Sequence, residues 1–126
     1  MPEPANILVV DDESNLCWAL EMALQSEGYR IATASTGEEA LALARKKHFH
    51  VGLVDAKLPD VDGLELAESL KSLDEELRIV VVSGFFYRQD EAIRHCLEIG
   101  TCDAFVSKPF DVAEVRAVVR QLLQGS

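Results

Sequence analysis

Four short apolar stretches of the chain end in residues that can do chemistry on a charged group. Asp11, Asp12 and Glu13 follow the first of them. Asp55 closes another, Ser83 follows a third, and Ser107, Lys108 and Pro109 follow the last. Clustered carboxylates repel one another and need a cation. Carboxylate oxygens with water suit a hard ion, Mg2+ (or Mn2+), which takes one or two protein carboxylates and keeps several waters. An ammonium and a hydroxyl beside such an ion suit an incoming dianionic group. Together they would neutralise and orient the oxygens of a transferring phosphoryl group, where catalysis is mostly positioning and electrostatics. A carboxylate can also be the nucleophile, giving an aspartyl-phosphate. Alone, each residue has a plainer reading. Asp11 and Asp12 could complement the positive end of a helix, Asp55 could be a strand-end polar group, Ser83 a turn residue and Lys108 a surface cation.

The elements that would bring these residues together are legible in the hydrophobic pattern. Five apolar runs, Ile7–Val10, Arg30–Ala34, Val51–Val54, Arg78–Val82 and Ala104–Val106, alternate with segments of helical period. Three runs are almost continuously apolar, as strands covered on both faces read. The second run alternates more and fits a sheet edge. The last helix is marked by Val115, Val118, Val119, Leu122 and Leu123, one stripe at i, i+3, i+4, i+7 and i+8. Asp111 with Glu114 forms its capping pair, and Gly125 stops it. Ser14 is the expected cap and Gly28 the stop of the first helix, and Thr36 with Glu39 opens the second. Leu64, Ala67 and Leu70 mark the third, and Ala92, Ile93, Cys96 and Leu97 the fourth. Parallel strands joined by right-handed crossovers put helices on both faces of a sheet, so a doubly wound α/β domain follows. In such sheets ligands bind at the carboxyl ends of the strands, where the acidic, hydroxyl and ammonium groups converge. Only the second strand contributes nothing obvious there.

Composition narrows the function classes. The chain has 126 residues, 48% hydrophobic, with 22 acidic against 12 basic side chains and a formal net charge of -10. One domain over 1–126 is expected, with 1–6 as an N-terminal extension and 124–126 as a terminus or the start of a linker. Such an acidic body repels phosphate backbones and anionic membrane surfaces, so neither nucleic acid nor membrane is an expected partner. No apolar run approaches a membrane span, the first residues have no signal-peptide pattern, and a cytoplasmic location is expected. Cys17, Cys96 and Cys102 have no metal-ligand spacing and read as reduced thiols. His48 and His50 read as part of a solvated turn.

Four motifs make the chain recognisable: Ile7-Leu-Val-Val-Asp-Asp-Glu13, Val54-Asp-Ala-Lys-Leu-Pro-Asp-Val-Asp-Gly63, Val82-Ser83 and Phe105-Val-Ser-Lys-Pro-Phe110. In this order at strand ends, they resemble the receiver domain of bacterial two-component response regulators over essentially the whole chain. The resemblance implies a flavodoxin-like five-stranded sheet of order 2-1-3-4-5. It implies Asp55 as phosphoacceptor from a sensor histidine kinase or histidine phosphotransfer protein, with Asp12 as a direct Mg2+ ligand and Asp11 as a ligand through water. Asp55 and the backbone carbonyl of Lys57 would complete the protein's ligands, and Lys108 would pair with the phosphoryl oxygens. Ser83 takes the place of the switch hydroxyl and Phe105 that of the switch aromatic, and the Lys108–Pro109 bond is expected to be cis. The implied output face is the fourth helix, fifth strand and fifth helix, read out by a homodimer, a partner protein or an effector domain. The domain would phosphorylate and slowly dephosphorylate itself, and would not be an enzyme with a separate substrate. The segment Leu16–Leu24 is similar to the first helix of nitrogen-regulatory, sigma-54 activator type receivers.

Other readings stay open at this point. A pseudo-receiver would keep the fold as a protein-interaction module without phosphotransfer. A Mg2+-dependent phosphatase of the haloacid dehalogenase type places a second Asp two residues after its nucleophile, where this chain has Lys57. A flavodoxin-like FMN carrier needs a Ser/Thr/Gly-rich loop where this chain is acidic. The stretch between Ser83 and Lys108 is slightly longer than is usual in the family, in part through one extra residue in Gly100–Ala104. Asp60, Asp62 and Gly63 are expected to shape the turn after the phosphoacceptor strand. Trp18 and Met22 are expected to pack laterally on a neighbouring helix, or else to dock a kinase or second receiver. Of the aromatic triplet Phe85, Phe86 and Tyr87, two rings are expected to fold under the fourth helix as local core, or else the triplet forms a phosphorylation-gated partner surface.

Overall fold

In the computed structural model, residues 4–84 and 91–124 are described. The aromatic triplet 85–87 and Gly125 lie outside them. Strands and helices alternate as β1 (Asn6–Val10), α1 (Ser14–Gln25), β2 (Arg30–Ala34), α2 (Gly37–Lys46), β3 (Val51–Asp55), α3 (Gly63–Leu73), β4 (Arg78–Gly84), α4 (Glu91–Glu98), β5 (Ala104–Lys108) and α5 (Val112–Gln124). All strand pairs are parallel, in the order β2-β1-β3-β4-β5. This is the expected doubly wound sheet, with the alternating second run at an edge.

Alternate residues of each strand point to opposite faces, and two apolar layers follow. Ile7, Val9, Leu53, Val80, Val82 and Val106 meet Leu20 and Leu24 of α1 and Val115 and Val119 of α5. Leu8, Val10, Val54, Ile79 and Val81 meet Ala40, Leu66, Leu70 and Cys96 on the other side. The central strands β1, β3 and β4 are therefore covered on both faces, which places their buried carboxylates and hydroxyl at or just beyond the strand ends.

Several element ends differ from the sequence reading. β1 begins at Asn6, inside the expected extension, because its N–H donates to His50 Nδ1 and its carbonyl accepts from His50 N–H. β4 runs on to Gly84 and β5 to Lys108, so Ser83 and Lys108 lie within strands. Ser14 is the first residue of α1 rather than its cap. The cap position is held by Glu13 without a side-chain bond, and Glu13 N–H instead donates to Asp11 Oδ1 at 2.9 Å. For α2, Thr36 Oγ1 accepts from Glu39 N–H as expected, while the Glu39 carboxylate bonds Ser35. For α5, the Asp111 carboxylate accepts from Ala113 N–H.

The start of β5 is clamped by Asp103. Its N–H donates to Ile79 O at 2.7 Å, and its carboxylate accepts from Ile79 N–H at 2.8 Å and from Lys71 Nζ at 3.0 Å. Asp103→Ala leaves the Ile79 N–H unpaired beside the core and is expected to cost about 2 kcal/mol. Urea denaturation with an unchanged m-value checks this.

Candidate phosphoacceptor site

The site is built at the carboxyl ends of β1, β3, β4 and β5. Asp11 follows β1 directly, and its N–H donates to Ala34 O at 3.0 Å. The second strand thus does contribute: its terminal carbonyl pins the acidic loop. Asp55 ends β3, and the next residue, Ala56, donates its N–H to Val82 O at 2.9 Å. Ser83 and Ser107 are register partners, as are Gly84 and Lys108. The only polar or charged residues buried among those described are Asp11, Asp55 and Ser83. Burying such groups is costly unless they are partnered, and here all three lie at one sheet edge.

Asp11, Asp12 and Asp55 each offer a carboxylate oxygen, and these atoms lie within 4.8 Å of one another. Asp12 is exposed, so one side of the group opens to solvent. Lys108 Nζ sits 3.0 Å from Asp11 Oδ2 and 3.4 Å from Asp55 Oδ2, with Glu13 Oε1 at 3.9 Å. The Glu13 contact was not expected from the sequence. Three carboxylates face one ammonium, so the group retains a negative excess suited to a hard divalent cation.

The electrostatics of individual groups follow from this crowding. Burial pushes the Asp55 carboxyl above its ordinary pKa, and Asp11 adds to the rise. The Lys57 N–H, donating to Asp55 Oδ1 at 3.2 Å, and the Lys108 ammonium pull it back only in part. Burial works against the charge of Lys108, but its hydrogen bond to Asp11 and the attraction of Asp11 and Asp55 outweigh it and raise its pKa. Cys17 donates its thiol to Asp11 O, and burial, then the Asp11 charge, pushes that thiol up to about 11.

The turn after β3 is shaped as expected and carries more besides. Asp62 caps α3 through Leu64 N–H at 2.8 Å. Gly63 donates its N–H to Ala56 O, so α3 starts against the strand that carries Asp55. Asp60 reaches further. Its two carboxylate oxygens accept from Gly37 and Glu38 N–H at the start of α2, which holds its carboxyl below the usual range. No spacing rule could have found a cap 23 residues away. Lys57 bridges to Asp62 across the turn, and Lys108–Pro109 is cis. Phe105, half-buried, pairs with Val81 and packs against the layer under α2 to α4.

Three expectations are corrected. Trp18 and Met22 do not pack laterally: they are 64% and 50% exposed, because Cys17, Leu20, Ala23 and Leu24 supply the buried face of α1. Trp18 instead lines a cleft of about 270 Å³ with Asp11, Asp12, Ser35 and Glu39. Cys96 and Cys102 are not thiols but a disulfide, leaving Cys17 free. His48 and His50 are more than a solvated turn. His48 Nδ1 is 2.6 Å from Asp74 Oδ2, and the two rings meet edge to face.

The family model described as "Response regulator receiver domain" matches residues 7–120. The chain belongs to that family. This receiver is 32% identical to sporulation initiation phosphotransferase F of Bacillus subtilis, over 93% of the chain and 92% of the relative. It is 35% identical to the alkaline phosphatase synthesis transcriptional regulatory protein PhoP of B. subtilis, over 95% of the chain but 49% of that protein. The receiver thus spans nearly all of the first and about half of the second. Among solved structures it resembles a CheY-like receiver domain protein of Methanospirillum hungatei, with TM-score 0.89 and 30% identity over 97% of this chain and 95% of that one. It also resembles the response regulator TrrA of Thermotoga maritima, solved in complex with Mg2+ and BeF, with TM-score 0.81 and 33% identity over 94% and 98%.

Proposed function

We propose that this receiver accepts a phosphoryl group on Asp55 from a phosphohistidine of a sensor kinase or phosphotransfer protein, and that the modified domain controls an output. The observation that carries this reading is the gathering of Asp11, Asp12, Asp55 and Lys108 at one sheet edge, with Asp55 held against a cation at 3.4 Å. The donor set fits a hard ion. Asp12 would bind Mg2+ (or Mn2+) directly, Asp11 through water, with Asp55 and the Lys57 carbonyl completing the protein ligands. Bound there, the ion supplies charge that neutralises the phosphoryl oxygens.

The chain's own residues do the rest. Asp55 attacks phosphorus through a carboxylate oxygen, the P–N bond to imidazole breaks, and the leaving imidazole takes a proton from water. The Lys57 N–H holds the other Asp55 oxygen, fixing the attacking lone pair. Lys108 turns from the carboxylates toward the transferred group. Ser83 and Phe105 register that group, and the α4–β5–α5 face carries the change to a second copy, a partner protein or an effector domain by population shift. Trp18, which lines the acidic cleft, and the exposed Met22 one turn further along α1 would meet the phosphodonor. The domain acts on itself and turns over no separate substrate. No helix among the described residues is long and apolar enough to cross a membrane, and a cytoplasmic setting is part of this reading.

Intact mass after incubation with acetyl phosphate tests it. One adduct is expected with Mg2+ and none in its absence, with the modified peptide containing Asp55. No adduct, combined with no Mg2+-dependent response to beryllofluoride, would leave the fold without phosphotransfer and sink the reading.

A further inference from the structure

The connection from α4 to β5 is built as a clasp. After α4, Ile99 N–H donates to His95 O and Gly100 N–H to Leu97 O, and Gly100 takes a left-handed φ of 84°. A chain that leaves a helix this way folds back along its last turn. Cys102 N–H then donates to Cys96 O at 3.1 Å, and the two Cα atoms lie 5.3 Å apart. The turn at Gly100 and this hydrogen bond bring Cys102 back over Cys96. The side chains are 5% and 1% exposed, joined as a disulfide six residues apart in the chain.

The two ends of this cross-link are held very differently. Cys102 precedes Asp103, which is tied to β4 by two hydrogen bonds and to α3 through Lys71. Cys96 belongs to α4, which has eight residues and buries only two of them, Ile93 and Cys96. A helix this short has little stability of its own and depends on its packing. The cross-link therefore supplies a large share of what fastens α4 to the body.

We propose that Cys96 and Cys102 form a reversible redox clasp. Oxidised, it fastens the C-terminal end of α4 to β5. Reduced, it frees that end and lets α4 respond more strongly to phosphorylation of Asp55. This last step rests on the phosphoacceptor reading. The chemistry is thiol–disulfide exchange. Oxidised glutathione accepts two electrons as the two cysteine thiols give up two protons and join, passing through a mixed disulfide. Reduced glutathione reverses the step and leaves as oxidised glutathione.

The test compares the same chain in its two states. In glutathione buffers of graded ratio, thiol counting in denaturant should move reversibly between one, Cys17, and three. Hydrogen exchange of amides 96–103, without metal or phosphoryl mimic, should be about tenfold slower in the oxidised form. The Cys96→Ala/Cys102→Ala variant should behave as the reduced form does. Three thiols at every ratio, or equal exchange in the two forms, overturns the clasp. Beryllofluoride with Mg2+ is then added. A larger change across α4 in the reduced form supports the control step, and an equal change in both forms overturns it. No change in either form counts against the phosphoacceptor reading, and the clasp is then judged on the exchange difference alone.

Discussion

Asp55→Asn will take up no phosphoryl group from acetyl phosphate and, in metal-free buffer at neutral pH, will unfold at a higher temperature than the parent chain. The first effect is a complete loss, because an amide oxygen is a poor nucleophile and, among the described residues, no second carboxylate is so placed against Lys108 and the Lys57 N–H. The second follows from crowding. The Asp55 carboxyl is pushed above its ordinary pKa by burial and by Asp11, so the fold holds the proton more tightly than the unfolded chain does. Below the ordinary carboxylate pKa both states are protonated and Asp55 carries no penalty. The penalty develops as pH rises from that value through the raised one, and is constant above it. Asparagine never ionises and escapes it. Solvent reaches the cleft past Asp12, which holds the gain to about 1 kcal/mol, or roughly 3 °C. Calorimetry from acid to neutral pH with a chelator present checks the sign. A variant less stable than the parent at neutral pH would show that Lys108 more than compensates the buried charge.

Gly63→Ala should be the most damaging small change in the site. A Cβ at this position collides with the Asp55 carbonyl oxygen, and would stand 2.7 Å from Ala56 Cα and 2.9 Å from the Asp55 carbonyl carbon. These are backbone atoms of Asp55 and Ala56 at the end of β3, so relief requires moving Asp55 or lifting α3 off β3. A cost of about 3 kcal/mol or more is expected, together with loss of the Mg2+-dependent adduct. Gly52→Ala is the control. Its Cβ would meet Ile79 Cδ1 at 3.5 Å, an ordinary contact, and stability should change by less than about 1 kcal/mol. Denaturant unfolding of both variants distinguishes a local clash from a general intolerance of the strand.

The parts of this molecule that were legible in its residues are those that depend on period and on strand ends. Ile7–Val10 and Arg78–Val82 read as buried strands because both faces of the sheet are covered, and their order followed from the family resemblance. Asp11, Asp12, Asp55 and Lys108 were legible because an apolar strand must expose its polar residues where it stops. What escaped depends on contacts between distant segments. The Ala34 carbonyl that fixes Asp11 and the Asp60 cap on α2 are set by how elements dock, not by spacing along either one. Trp18 and Met22 were misplaced because an apolar pair at i and i+4 looks the same whether it covers a neighbour or solvent. The Cys96–Cys102 pairing was hidden by an odd cysteine count and by a turn whose geometry hangs on Gly100.

Lys108 reaches Asp11 across 97 positions of the chain, and this has a bearing on synthesis. On the ribosome, Asp11, Asp12 and Asp55 emerge long before the ammonium that offsets them. A nascent chain that has made β1 to β3 holds the three carboxylates together without their counter-ion, and the central strands must wait for β5 before that edge is neutralised. Truncated products ending before Lys108 would carry Asp55 but not the ammonium that pairs with it. The charge balance of this edge is thus completed only when β5 has emerged and paired with β4.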